Sequence, residues 1–360
     1  MAGPAPVIAR ARTAVRVSLT SRLEELADDT AAGRHAPRLL VGVSGGADSL
    51  ALLATTAWVA SRMGLEAEAG IVDHGLQESS ARVAERAGAQ VERLGATAHV
   101  LRIEVPDHAP GGLENAARDA RHHALERLAE ERGSLALLLG HTLDDQAEQV
   151  LMALARGAGP RALAGIPRRR GLLLRPFLGS GRDETTALRR ADTEQICRLL
   201  DVDFWQDPMN SDPMYLRSRV RHRLMPLLRE VLGEQIDENL ARSADLVRPD
   251  SEHLDAEAAV LLEGLRRDAA PTREEDDLLL LDVHALAATP EPLRTRVLRD
   301  ASRLAEQIAA TPSGKSLLRR QVLAIDALAV RWHGQASVPL PGRIEVARRD
   351  GLLVWRRNDP

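Results

Sequence analysis

The chain of 360 residues has one cysteine, Cys197, and one lysine, Lys315. A single thiol excludes a disulfide within the chain, a cysteine-based zinc site and the thiol pair that sulfur relay requires. With lysine nearly absent, almost every cation is an arginine, whose planar fork suits bidentate contact with phosphate, although a bias of coding composition accounts for most of the excess. The formal net charge is -4. It creates no global basic field, so any nucleic-acid contact must rest on local arginine patches. No uninterrupted apolar run approaches the length of a membrane span, and no secretory signal opens the chain. No membrane partner and a cytoplasmic location are therefore expected. Residues 1–23 hold arginine but no acidic residue. That pattern fits an organellar leader or an amphipathic helix, and the Ala/Arg richness of the whole chain favours a helix within residues 1–35.

With 44% hydrophobic residues, the chain can bury two or three domain cores. Its organising stretch is residues 38–53, where an apolar run breaks into S-G-G-A-D-S and resumes with Leu50, Leu53, Ala54 and Ala57 at helical spacing. This reads as strand, loop and helix. Two adjacent glycines let the backbone turn sharply, and the helix that follows near Ser49 adds unpaired N–H groups and a positive dipole end. The result is a cradle for phosphate. No lysine follows the glycines as in a Walker A loop, and the spacing is not the dinucleotide G-x-G-x-x-G pattern.

Further along, the pattern predicts a strand over 66–72 ending at Asp73 and His74, a helix over 79–94 capped by Ser79 or Ser80, and a strand over 99–105. A helix over 113–132 carries Arg118, Arg121 and His122, either as a solvated face or as contacts to an anionic substrate. A strand over 135–139 runs into G-H-T-L-D-D-Q-A-E at residues 140–148. This alternation predicts an α/β fold with a doubly wound parallel sheet, whose ligands lie beyond the carboxyl ends of the strands where strand order reverses. If the first and fourth strands are neighbours, residues 44–49 and 141–145 face each other, and Asp48 and Asp145 can share a magnesium ion. Asp144 is expected mainly to cap the following helix. Next come a Gly/Pro-rich loop over 154–167, a helix over 182–200 that buries Cys197 as an inert thiol, and alternating arginines at 217, 219 and 221. The expected organisation is an N-terminal helix (1–35), an α/β domain carrying the phosphate cradle (36–230), a helical connection and linker (231–277) and a smaller C-terminal α+β domain (278–360). A hairpin is expected around Asp350 and Gly351.

The S-G-G-x-D-S loop at 44–49 resembles that of the PP-loop ATP pyrophosphatases. Within that group, residues 141–148, the loop 154–167, R-P-F-L at 175–178, W-Q-D-P-M-N at 205–210 and R-S-R-V-R at 217–221 are similar to the tRNA(Ile)-lysidine synthases. Ser218 stands where that family usually has asparagine. The C-terminal region resembles the family's small substrate-binding domain more loosely. Longer members continue past the hairpin, which implies that contacts made by their terminal domain are absent or replaced here. The resemblance implies that the domain over 36–230 is catalytic and ATP-binding and that the one over 278–360 binds the substrate tRNA. It also implies ATP and Mg2+ as cofactors, with tRNA(Ile) bearing a CAU anticodon and free L-lysine as partners. ATP adenylates the wobble cytidine, pyrophosphate leaves, and lysine is joined at carbon 2. Ser44, Gly45, Gly46, Ala47, Asp48 and Ser49 would hold ATP, with Asp73, His74 and His141 shaping the nucleotide pocket. Asp48 and Asp145 would hold the metal, Arg219 would join them in catalysis, and Arg118, Arg121, Arg217 and Arg221 would contact tRNA. A homodimer is left open. The competing readings are a PP-loop tRNA 2-thiolation enzyme, which lone Cys197 argues against, and a non-catalytic tRNA- or nucleotide-binding relative, which would be expected to lack Asp48 or Asp145.

Overall fold

A computed structural model describes residues 3–26, 37–73, 80–103, 113–180, 186–206, 212–267, 274–311 and 317–358. Two compact units emerge, one from residues 1–107 and 113–248, the other including residues 249–360. The first contains α1 (Pro6–Leu26), β1 (Arg38–Val43), α2 (Ala47–Met63), β2 (Glu66–Asp73), α3 (Ser80–Arg93), β3 (Thr97–Arg102), α4 (Leu113–Glu131), β4 (Ala136–Leu138) and α5 (Leu143–Ala155). It continues through α6 (Pro160–Leu163), β5 (Arg169–Arg170), β6 (Leu173–Leu174), α7 (Arg190–Leu199), α8 (Leu216–Arg219) and α9 (Met225–Leu232). The boundary between the units falls within α10 (Ile236–Leu265).

The first unit is built on a sheet of order β3-β2-β1-β4-β6-β5, parallel except for β5 against β6. Strand order reverses between β1 and β4, as a doubly wound fold requires. Alternation along β1 explains the two layers of helices. Leu39, Val41 and Val43 join one core with α1, α2 and α3, whereas Leu40 joins Leu125, Leu128, Leu137 and Leu173 on the α4 side. Each fully buried leucine contributes roughly 1.5–3 kcal/mol relative to exposure. The N-terminal segment is a core element. Val7, Ile8, Ala11, Ala14, Val15 and Leu19 are buried at helical spacing along α1.

Two expectations shift. Residues 182–185 of the helix expected over 182–200 lie outside the described residues, and among the described ones the α-helix runs from Arg190. Leu188 is fully buried, its N–H donates to Phe177 O at 2.9 Å, and its carbonyl accepts from Leu143 N–H at 2.9 Å. Those long-range bonds take the backbone groups that a helix would use internally. The loop over 154–167 contains the short helix α6, with Pro160 in its first turn. There proline's missing N–H has no cost.

The second unit contains β7 (Asp277–Asp282), α11 (Val283–Ala288), α12 (Glu291–Ile308), α13 (Arg319–Val330), β8 (Val338–Leu340), β9 (Ile344–Arg349) and β10 (Leu352–Arg357). Its antiparallel sheet has the order β7-β10-β9-β8. Asp350 and Gly351 both take positive φ, 48° and 79°, joining β9 to β10 through the expected hairpin turn. The core centres on Trp355, whose indole N–H donates to Ser302 Oγ at 2.9 Å, and it takes in Ala258, Leu262 and Leu265 from the end of α10. Residues 268–273 of the expected linker lie outside the described residues. No helix among the described residues is long and apolar enough to cross a membrane.

Candidate active site

The loop after β1 delivers Ser44, Gly45 and Gly46 to the first turn of α2. Gly45 has a φ of +83°, a backbone conformation that a side chain would strain, and Gly46 is the N-cap of α2. Ser49 ties the loop closed. Its Oγ accepts from Ser44 N–H at 3.1 Å and donates to Gly46 O at 2.9 Å. The N–H groups of Ala47, Asp48 and Ser49 occupy the first turn, where helix geometry leaves donors for an anion. Trp205 N–H donates to Gly45 O at 2.9 Å, which fastens the segment before residue 207 to the same loop.

The β4–α5 turn lies directly against this loop. A Cβ on Gly140 would fall 2.8 Å from Asp48 O, so only glycine allows this approach. Thr142 is the N-cap residue of α5 and is held by Asp145, whose Oδ2 accepts Thr142 N–H at 2.8 Å and Thr142 Oγ–H at 3.0 Å. This corrects the expectation that Asp144 makes the cap: Asp145 makes the capping contact. Asp144 instead accepts the backbone N–H of Arg190 at 2.9 Å, tying α7 to the turn.

Asp145 and Glu148, three residues apart on one face of α5, are both buried and collect three arginines. Asp145 Oδ1 accepts from Arg190, Arg217 and Arg221 at 3.1, 3.0 and 3.2 Å. Glu148 accepts from Arg217 Nε at 3.0 Å and from Arg221 Nε and Nη2 at 2.7 and 3.0 Å. Burial alone would raise the Asp145 carboxyl, but Arg190, Arg217, His141 and the Thr142 N–H hold it well below the usual carboxylate range. Arg190 also stands 3.6 Å from Asp48 Oδ2, and Thr193 Oγ–H donates to Asp48 Oδ1. Burial pushes Asp48 up to about 6, with Asp145 adding to the shift and Arg190, Thr193 and Arg221 opposing it. Burial would lower Arg190, but Asp145, Asp48, Glu148 and Asp144 raise it above an ordinary guanidinium.

Arg219 is not brought to these carboxylates. Arg217 and Arg221 are four apart and share a helical face, so Arg219, midway between them, falls on another. Its Nη1 donates to Pro213 O and Met214 O at 2.8 and 3.0 Å, and the residue is exposed. Arg217 and Arg221, expected to face tRNA, are instead the guanidinium groups on Asp145 and Glu148. Arg118 is exposed and Arg121 half-buried on α4. Asp73 is buried at the end of β2, with Arg102 Nε 4.0 Å away, while His74 lies outside the described residues. His141 is pushed down to about 3, chiefly by burial, and its Nδ1 has no hydrogen-bond partner. It is a neutral ring at neutral pH. Cys197 Sγ donates to Ala47 O at 3.5 Å, and burial pushes the thiol up to about 12.

The sequence reading missed Glu148, Arg190 and Thr193. The i to i+3 spacing from Asp145 was a signal for Glu148. Arg190 and Thr193 had none, because an arginine within an Arg-rich helix does not announce the strand loop it will meet.

The arrangement holds an anion cradle at a helix N-terminus and, facing it, carboxylates whose charge is balanced by guanidinium groups. A PP-loop domain family matches residues 15–228. The chain is 44% identical to the tRNA(Ile)-lysidine synthase of Thermobifida fusca, over 98% of this chain and 99% of that relative. It is 39% identical to the tRNA(Ile)-lysidine synthase of Streptomyces coelicolor, over 89% of this chain and 86% of that one. Among solved structures, the U34-tRNA thiolase NcsA from Methanococcus maripaludis, determined with its 4Fe-4S cluster, shares the fold. That match has a TM-score of 0.50 and 18% identity, and covers 67% of this chain and 80% of that one. A family match across more than half of the chain and close relatives along nearly all of it lead to one conclusion: the chain belongs to the tRNA(Ile)-lysidine synthase family of PP-loop proteins.

Proposed function

We propose that the protein joins free lysine to carbon 2 of the wobble cytidine in tRNA(Ile) with a CAU anticodon, consuming ATP and releasing AMP and pyrophosphate. The observation that carries this reading is the approach of the S-G-G-A-D-S loop to the β4–α5 turn at the strand-order reversal, in a chain that matches lysidine synthases end to end. The carbonyl oxygen on carbon 2 of cytosine is a poor leaving group. Attack of that oxygen on the α-phosphorus of ATP expels pyrophosphate and turns it into part of a phosphate ester. The lysine amine then attacks carbon 2, AMP departs with the oxygen, and the amine proton goes to solvent or a nearby base.

Ser44, Gly45, Gly46, Ala47 and Ser49 would grip the departing pyrophosphate with the α2 amides, an electrostatic contribution aimed at charge as it develops. Asp73 and His141 would border the nucleotide. Arg190, Arg217 and Arg221 supply fixed positive charge beside the reacting groups, held in register by Asp145 and Glu148.

The donors present fit magnesium in part. Asp48, in the first turn of α2 with its carboxyl pushed up to about 6 chiefly by burial, suits a hard cation that arrives with the triphosphate. When bound, that ion would neutralise charge on the phosphates. Asp145 in this arrangement does not offer a ligand, because Oδ1 accepts from three guanidinium groups and Oδ2 from two Thr142 donors.

The deciding experiment supplies tRNA(Ile) with a CAU anticodon, ATP and labelled lysine, followed by nucleoside analysis. Label should enter one cytidine per tRNA with one AMP and one pyrophosphate released, and no sulfur donor should be needed. Sulfur in the product, or ATP turnover without lysine incorporation, would sink this reading.

A further inference from the structure

β4 has a second neighbour at the carboxyl edge of the sheet. It pairs in parallel with β6, with Leu138 opposite Leu174, and Leu139 N–H donates to Leu174 O at 2.9 Å. His141, which follows β4, and Arg175, which follows β6, therefore leave adjacent strands, and the β4/β6 edge lies beyond β4 from the β1/β4 crevice. α4 overlies this region. Its Leu125 and Leu128 pack with Leu40, Leu137, Leu139 and Leu173, and Leu125 fills the space above Gly42 and Gly70. Because the helix runs antiparallel to the strands, the turns before Leu125 carry Arg121, His122 and Arg118 toward the strand ends.

These groups form a cationic niche with unpaired polar atoms. Arg175 is only 6% exposed; its Nη1 donates to Pro167 O at 2.8 Å, but its Nε has no partner. The Nδ1 atoms of His122 and His141 are also buried without a partner. Burial, then Arg118 and Arg175, push His122 down to about 4, and burial with Arg170, Arg118 and Arg248 pushes Arg175 down to about 10. Glu126 is the acidic group acting on both His122 and Arg175. A buried guanidinium N–H left unpaired in a field of guanidinium groups is costly, and an oxyanion would satisfy both that donor and the charge, with the one N–H of a neutral imidazole able to join it.

We propose that the niche between the ends of β4 and β6 binds a backbone phosphate of the tRNA, through Arg175, His122 and the arginines of α4. The inference rests on the lysidine synthase reading, in which the neighbouring β1/β4 crevice already takes the phosphates of ATP. The second substrate then enters from the adjacent groove, and one fixed phosphate sets the register of the wobble nucleotide against the α-phosphate.

The test uses the full chain with Arg175→Gln and, in parallel, His122→Phe, which keeps ring volume but removes the ring nitrogens. Affinities for unmodified tRNA(Ile) and for ATP are measured across a salt series. Arg175→Gln should weaken tRNA binding about tenfold at moderate salt and lower the slope of log Kd against log salt by about 1. His122→Phe should weaken it about threefold with the slope unchanged, and it supplies the result if Arg175→Gln does not fold. ATP affinity should stay within about twofold of the parent. Unchanged tRNA binding in folded variants overturns the proposal, and so does a loss confined to ATP or pyrophosphate, which would assign the niche to the nucleotide. A parent protein that binds tRNA and ATP but forms no lysidine would refute the proposed reaction while the variants still decide the niche.

Discussion

Single residues in this site carry structural and chemical duties together, and Asp145 is the plainest case. It caps α5 through Thr142 and pairs with three guanidinium groups while 8% exposed. Asp145→Ala should therefore abolish turnover and also lower stability by about 3–5 kcal/mol, because buried charge is left without its partner. The denaturation midpoint measures this loss. Asp48 should behave in the opposite way. Its carboxyl titrates at about 6 in the folded chain against an ordinary 3.8. Between roughly pH 4 and 6 the folded chain holds a proton that the unfolded chain has released, so this group makes stability fall as pH rises through that window. Asp48→Asn should be inactive yet more stable by on the order of 2 kcal/mol at pH 7.5, with the gain shrinking toward pH 4. An equal gain at pH 7.5 and 4.5 in urea titrations would show that ionisation of Asp48 is not its source.

Between elements, the site depends on how closely the β4–α5 turn and α7 approach the start of α2. Gly140→Ala would drive a methyl group into the Asp48 carbonyl, with the nearest approach 2.8 Å. The loops must separate, at a cost of about 1–3 kcal/mol. ATP affinity should fall more than tRNA affinity, which equilibrium binding of each substrate can compare. Cys197 lies on the same α7 face as Thr193 and is fully buried against α2. Cys197→Ser keeps a donor for Ala47 O and leaves little else to lose. Lysine incorporation should remain near the parent rate with a stability cost of about 1 kcal/mol. A folded but inactive serine variant would revive a role for the thiol.

Across the whole molecule, two cores of different architecture are encoded in series. The anion cradle, the carboxylate–arginine cluster and the proposed phosphate niche all belong to the first. The last turns of α10 contribute Ala258, Leu262 and Leu265 to the second core. A fragment ending at Arg248 thus avoids exposing those side chains, whereas one ending at Arg266 would carry them unburied. The shorter fragment should bind ATP as the full chain does but lose tRNA affinity at matched salt, since phosphate-positioning surfaces dominate that binding. Equal tRNA affinity in fragment and parent would remove the second unit from substrate binding.

What the sequence determined by itself was everything set by local pattern. Residues 38–53 specify strand, cradle and helix through apolar periodicity and paired glycines, the strand and helix alternation specifies a doubly wound sheet, and Asp350 with Gly351 specifies a hairpin turn. The lone cysteine separated lysine transfer from sulfur transfer before any coordinates were needed. Only the tertiary structure decided which cations meet which anions. Arg190 lies 45 residues from Asp145 and Arg217 lies 72 away, and no periodicity links side chains across such distances. The capping contact made by Asp145 rather than Asp144 has the same origin. Asp145 turns back to Thr142 three residues earlier, while Asp144 accepts the N–H of Arg190, a partner 46 residues along the chain that no local pattern announces.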